Sequence, residues 1–236
     1  MVASRLAKRL LHFGLQSYGQ YYELLNKGNH PHEFQLMINI LTTNETYFFR
    51  EPQHFDFVKE HILKSWRGEC FKLWSAASST GEESYSLGML LAENLGMRKW
   101  EIFGSDVNTE VLETARKAIY LMNRLENMDK RYLEKYCLKG VRTQDGYFRV
   151  DEKIRNRVRF DQINLKSPLP KSLGLFDVIF LRNVLIYFDK ETKQEILQRI
   201  LPVLKPGGHF FISHSETLHG LSTELRMIKP SIYQKS

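Results

Sequence analysis

The chain has 236 residues, 42% hydrophobic and 26% charged, a size and composition that suit one soluble α/β catalytic domain with a small accessory region. A formal net charge of +7 favours an acidic partner without choosing between nucleic acid and an acidic protein surface. No apolar run approaches the ~20 residues of a membrane helix, the first residues lack the apolar core of a signal peptide, and two cysteines, Cys70 and Cys137, form neither a metal-ligand pattern nor a disulfide framework, as expected of reduced thiols in a cytoplasmic protein.

The first elements read as helical. Leu6, Leu10 and Phe13 lie near helical spacing, with Ser17 as a further member and Arg5, Lys8 and Arg9 among them. Pro31 opens a second helix whose apolar face is Phe34, Met37, Ile38 and Leu41. The polar-then-aromatic stretch from Thr42 to Arg50 reads as a connection, and a short helix follows Pro52 through Phe55, Val58 and Ile62. From Phe71 the texture becomes strand–turn–helix. Phe71 to Ala77 and Glu101 to Ser105 read as strands. Gly81 opens a helix to Leu95, and Asn108 caps one running to Ala118. Asp145-Gly146 is a hairpin-type turn signal before Tyr147 to Val150, a small β excursion. Val158 to Phe160 and Phe176 to Leu181 are further strands, the second of fully buried type. Asp189 caps a helix to Leu204, Lys205-Pro206-Gly207-Gly208 stops it, and His209 to Ser213 is the next strand. This alternation predicts an α/β fold with a doubly wound, mostly parallel sheet, whose ligands bind beyond the carboxyl ends of the strands.

The first such end is Ala76-Ala77-Ser78-Ser79-Thr80-Gly81-Glu82-Glu83. Its small residues let backbone approach a ligand closely. It is neither the G-x-G-x-x-G fingerprint nor a P-loop, and two glutamates would repel a phosphate. They suit a ligand with a cationic end, such as S-adenosylmethionine (SAM), which carries an ammonium and a sulfonium. Thr80 and Glu83 match a capping box, which leaves Glu82 to face the cofactor. Asp106 ends the second strand, where an acidic residue accepts ribose hydroxyls. Asn164, with Asp161 nearby, follows the Val158 strand, where an adenine-reading loop would stand.

The blocks Asn44-Glu45-Thr46-Tyr47-Phe48-Phe49-Arg50-Glu51, Trp74 to Ser86, Arg182-Asn183-Val184-Leu185-Ile186-Tyr187-Phe188, Leu204 to Gly208 and His214-Ser215-Glu216 together resemble the CheR-type chemotaxis receptor methyltransferases, in the family's order. The resemblance implies a Rossmann-like SAM methyltransferase domain (residues 51–236) behind a small N-terminal helical domain and linker (1–50), with a small β-subdomain inserted at 132–157. It implies cofactor contacts at Asn44, Thr46, Arg50, Glu82, Asp106, Asn164, Leu165, Arg182 and Asn183, to which the small-residue turn adds Ala76. Arg50 and Tyr187 match the pair beside the transferring methyl. The implied partner is a chemoreceptor, met at its cytoplasmic methylation helices and, in some members, at its C-terminal peptide through the β-subdomain. Nucleic acid and membrane insertion are not implied. The N-terminal helical region is short for the family, and Ser78 and Ser84 stand where members often have Ala and Pro.

The residue types suit that chemistry. A glutamate with an ordinary pKa of about 4.3 is already a nucleophile at pH 7, so no general base is needed. What remains is alignment, which supplies roughly 7–11 kcal/mol in favourable systems. A guanidinium such as that of Arg50 fixes a carboxylate through parallel hydrogen bonds, unless it is spent on a salt bridge to Glu51. Phe48 and Phe49 read as core or adenine-side packing. Arg182-Asn183 replaces the Asn/Asp-Pro-Pro-aromatic turn that cradles an NH₂ acceptor, which argues against nucleic-acid bases. No histidine stands in a zinc-type spacing with cysteine, so no metal is expected. Arg5, Lys8 and Arg9 offer a basic face to an acidic receptor helix. The competing readings are a SAM enzyme acting on RNA or a small molecule, and a non-catalytic SAM-binding signalling module.

Overall fold

The computed structural model describes residues 2–125 and 128–236. Three helices come first: α1 (Val2–Phe13), α2 (Tyr18–Asn26) and α3 (Pro31–Leu41). Ser17 does not extend the first of them. Gly14 takes φ +63, which ends α1, and Ser17 caps α2 by accepting the Gln20 N–H at 3.2 Å. The bundle closes on Leu6, Tyr21 and Leu25, with Leu10, Phe13, Met37 and Leu41 packed around them.

The basic face assigned to α1 is largely consumed inside this bundle. Arg5 donates to the carbonyls of Leu41 (2.8 Å) and Thr42 (3.0 Å), satisfying the open end of α3. Arg9 binds Glu33 through two hydrogen bonds, at 2.8 and 2.5 Å, and Tyr21 donates its hydroxyl to the same carboxylate. Lys8 alone of the three stays exposed.

After α4 (Pro52–Phe57) and a π-helical turn (Val58–Leu63), the chain builds β1 (Cys70–Ala76), α5 (Glu82–Leu95), β2 (Lys99–Asp106) and α6 (Thr109–Lys117). There follow β3 (Ile119–Leu121), α7 (Lys130–Tyr136), β4 (Cys137–Lys139), β5 (Tyr147–Val150), α8 (Glu152–Arg155) and β6 (Val158–Gln162). The last elements are β7 (Phe176–Leu181), α9 (Lys190–Ile200), β8 (Leu204–Phe211), β9 (Leu225–Lys229) and β10 (Ile232–Lys235). The large sheet has the order β6-β2-β1-β7-β8-β10-β9, with β10 antiparallel to both neighbours and every other pairing parallel.

Both faces of its centre are covered, which is why β7 reads as a continuous apolar run. Val178 and Phe180 point into one core with Phe71, Leu73, Leu87 and Leu91. Ile179 and Leu181 point into the other with Trp74, Ile196, Leu197 and Ile200. Strand order reverses between β1 and β7, the switch point at which such sheets bind ligands.

Two sequence expectations shift. The helix after Asp189 ends at Ile200, not Leu204, because Pro202 lacks an N–H and the chain tightens into a 3₁₀ turn over Leu201–Val203. Leu204 then starts β8, so Lys205-Pro206-Gly207-Gly208 lies inside the strand and shifts its register against β7. The second sheet, β3-β5-β4, takes an outer strand from Ile119–Leu121, ahead of residue 132. Phe48 and Phe49 pack against this insertion: Phe48 meets Tyr120 edge-on and Phe49 stacks on Tyr132.

Candidate active site

A cavity of about 500 Å³ opens at the carboxyl ends of β1, β2 and β7. Its far wall is the N-terminal bundle. Gln35 donates to the Val107 carbonyl at 3.0 Å, Asn39 accepts the Thr109 N–H at 3.1 Å, and Asn108 donates to Thr42 at 2.7 Å. These bonds bring Met37, Ile38 and Leu41 to face Val107, Ile163 and Leu165, giving the cavity an apolar end. Its polar end holds Thr46, Arg50, Glu83, Arg182, Asn183 and Tyr187.

The turn after β1 is shaped by positive φ at Ala77 (+64), Ser79 (+49) and Gly81 (+93). Gly81 is required twice over, since a Cβ there would come within 2.8 Å of the Ala115 side chain. The turn aims backbone at Asp106, whose Oδ2 accepts the Ser79 N–H (2.9 Å) and Oδ1 the Asn108 N–H (3.0 Å). Burial pushes the Asp106 pKa up, against these backbone donors. Asn108 also caps α6, accepting the Glu110 and Val111 N–H groups.

The two glutamates of the turn part company: Glu83 lines the cavity and Glu82 does not. Thr80 does not cap α5 through Glu83; its hydroxyl goes to Glu82. Glu82 is fully buried, meets Arg124 at 2.9 Å and is absent from the cavity wall. Arg124 also donates to the Thr46 carbonyl, so the insertion holds both segments. Glu83 lines the cavity, accepts the Ser75 hydroxyl (2.7 Å) and meets Arg182 Nη1 at 2.9 Å. Burial pushes the Glu83 pKa up, and Arg182 opposes it. Ala76 likewise stands one position off: its side chain is in the second core, and Ala77 lines the wall. A one-residue offset at the end of a strand swaps the faces, which sequence reading does not resolve here.

Arg182 is 4% exposed and serves as a buried hub. Its Nη2 lies 3.1 Å from Glu51 and donates to the Arg50 carbonyl at 2.7 Å. Burial pushes Glu51 up in pKa, but Arg182 and its other partners outweigh this and the net shift is down. Glu51 is thus spent on Arg182 and not on Arg50. Arg50 donates to the Glu45 carbonyl at 2.8 Å and lies 5.5 Å from the Tyr47 ring centroid. No ion pair among the described residues engages it. Asn183 takes φ +58 and is pinned by Glu216, which accepts its N–H at 3.0 Å and that of Leu185 at 2.8 Å. Tyr187 is 57% exposed at the mouth.

Of the sequence-predicted residues, Asn44, Thr46, Arg50, Asp106, Asn164, Leu165, Arg182, Asn183 and Tyr187 line one cavity. Ala76, Glu82 and Asp161 do not. Sequence reading offered Glu51 only as a salt-bridge partner of Arg50 and gave no role to Glu216; their bonds set Arg182 and Asn183. An amphipathic cleft of this size, with carboxylates and amides beside an apolar wall, fits an adenosine carrying an amino-acid tail.

Comparison with known proteins gives the same answer from a separate direction. Residues 1–42 match the family described as CheR methyltransferase, all-alpha domain, and residues 44–233 match CheR methyltransferase, SAM binding domain. The chain belongs to the CheR methyltransferase family. It is 43% identical to the chemotaxis protein methyltransferase of Escherichia coli and 42% identical to that of Salmonella typhimurium, in each case over 100% of this chain and 82% of the relative. It is 40% identical to chemotaxis protein methyltransferase 2 of Pseudomonas aeruginosa, over 99% of this chain and 84% of that one. This CheR-family chain is a SAM-dependent methyltransferase, and its two family matches meet at the polar segment that lines the cavity. None of its described helices is long and apolar enough to cross a membrane.

Proposed function

We propose that this methyltransferase moves the methyl group of SAM onto glutamate side chains of a chemoreceptor's cytoplasmic methylation helices, forming methyl esters. The observation that carries the reading is Arg50: a guanidinium on the cavity wall, without a carboxylate partner among the described residues, held in place through the Glu45 carbonyl. SAM supplies an electrophilic methyl on a sulfonium. The carboxylate of the incoming glutamate is ionised at neutral pH and needs no base. Arg50 orients that carboxylate, and Tyr187, at the exposed mouth, lines its approach. Asp106 accepts from the ribose with the lone pairs its backbone donors leave. Asn44, Thr46, Asn164, Leu165, Arg182 and Asn183 complete the cofactor wall. The relatives' names support a chemotaxis substrate.

Two surfaces suit receptor contact: Lys8 on α1, and the small sheet, whose outer strands β3 and β4 carry exposed Ile119, Leu121 and Leu138. That sheet suits a receptor's C-terminal peptide, added as an extra strand. Incubation with methyl-labelled SAM and a receptor cytoplasmic fragment tests the reading. Base-labile label released as methanol, and lost when the acceptor glutamates become alanine, is the expected result. Base-stable label, or label on RNA, would refute it.

A further inference from the structure

Behind Arg182, on the side away from the cavity, three segments distant in sequence meet. Glu51 and His54 come from the start of α4, His214 from the loop after β8, and Ser231 from the β9–β10 turn. Ser231 Oγ lies 2.7 Å from His54 Nε2, 3.1 Å from His214 Nδ1 and 2.6 Å from the Pro230 carbonyl. It has one proton. With that proton on the carbonyl, Oγ accepts an N–H from each ring. The other ring nitrogens, His54 Nδ1 and His214 Nε2, then carry lone pairs.

Both of these nitrogens face Glu51 Oε2, at 3.4 and 3.8 Å. A carboxylate and two imidazole lone pairs converge with no hydrogen between them. His54 is 0% exposed, and its Nδ1 has no hydrogen-bond partner. An orphaned buried nitrogen is costly and calls for an explanation. Charge points the same way. Glu51 and Glu83 share a single cation, Arg182.

From this convergence we propose that Glu51, His54 and His214 form a divalent-cation site of zinc type, with Ser231 as the group that orients both imidazoles. Two imidazoles and a carboxylate are an established zinc donor set, in which bonds of about 2.0–2.2 Å put tetrahedral ligands on the order of 3.3 Å apart. Their ligand atoms all lie within 4.8 Å of one another, so a small rotation of one ring closes the set. His214 is the ring free to turn, being half-exposed, and it gives the ion a path in and room for a water. Arg182 Nη2 at 3.1 Å and the His214 backbone N–H at 3.4 Å meet the same Oε2. A hydroxyl that holds the far nitrogens of both rings is the outer support that metal-ligating histidines characteristically have. The ion would tie α4, and so the Arg50 segment, to the last strands of the sheet.

The test uses the untagged full chain, stripped with a chelator and desalted. Zn²⁺ titration by calorimetry and the absorption band of bound Co²⁺ are both read. Expected is one saturable site of micromolar or tighter affinity, weakened at least tenfold by His54→Ala and by His214→Ala, and weakened less by Ser231→Ala. The proposal is overturned by the absence of a one-to-one site, which would mean a proton fills the gap, or by zinc affinity unchanged in His214→Ala. If His54→Ala does not fold, the half-exposed His214 variant decides alone.

Discussion

Replacing Arg9 with methionine should destabilise the N-terminal bundle by about 3 kcal/mol, the low end of what breaking a buried ion pair costs. The low end applies because the Arg9 side chain is 19% exposed while that of Glu33 is 6% exposed. Loss of Arg9 removes both of its hydrogen bonds and leaves a buried carboxylate with the Tyr21 hydroxyl alone. In the native protein, burial pushes the Glu33 pKa up, but the bonds from Arg9 and Tyr21 outweigh it and the net shift is down. A depressed folded-state pKa stabilises above the unfolded value, near 4.3, and that contribution fades as pH falls through the folded one. The gap between native and Arg9→Met should therefore narrow in acid. Hydrogen exchange of the α3 amides, in a cycle with Glu33→Leu, measures the effect. The double variant should cost no more than about 1 kcal/mol, so the coupling is at least about 2 kcal/mol, larger by whatever Glu33→Leu costs alone. If Arg9→Met is as stable as the native chain and instead weakens substrate binding at low salt, Arg9 is a docking residue and the structural reading fails.

Asp106→Ala should weaken S-adenosylhomocysteine binding at least tenfold in calorimetry, since it removes the ribose acceptor and two backbone anchors together; unchanged affinity would remove Asp106 from the cofactor wall. Arg50→Lys should lower kcat about 10–100-fold, the loss of one charge-assisted bond of ~1.5–3 kcal/mol, with cofactor affinity nearly unchanged; equal kcat would end its orienting role. Burial in β8 pushes the His209 pKa down to about 4. As pH falls from about 6.5 towards that value, the unfolded chain takes a proton that the folded chain refuses, so stability drops by up to about 1.4 kcal/mol per pH unit. His209→Gln should flatten that slope in urea melts between pH 6 and 4.5, and an equally steep slope in the variant would refute the assignment.

Much of this was legible because strand, turn and cap chemistry are local. Asn108 caps α6 and Pro31 opens α3 for reasons contained within a few residues. The Phe176–Leu181 run declares a strand buried on two faces. Partner choice was not local. Nothing near Arg9 in the sequence announces Glu33, and nothing near Glu82 announces Arg124. The Thr80–Glu83 pattern matches a capping box because the spacing fits, but a buried Arg182, supplied by the turn after β7, claims Glu83. The β9–β10 hairpin was missed because Leu225–Lys229 is an outer strand with four of its five residues exposed, which leaves little alternation to read.

The α3 helix forms one wall of the cleft, so the chain cannot bind its cofactor without also gluing its two parts together. Anything that fills the space between Leu41 and Leu165 must be expelled before the bundle can lift away. A ligand at a hundredfold excess over its Kd would hold that seam shut with an added ~2.7 kcal/mol. Occupancy and the rigidity of the N-terminal bundle are then a single linked equilibrium: an enzyme charged with methyl donor holds a firmer α1 than an empty one.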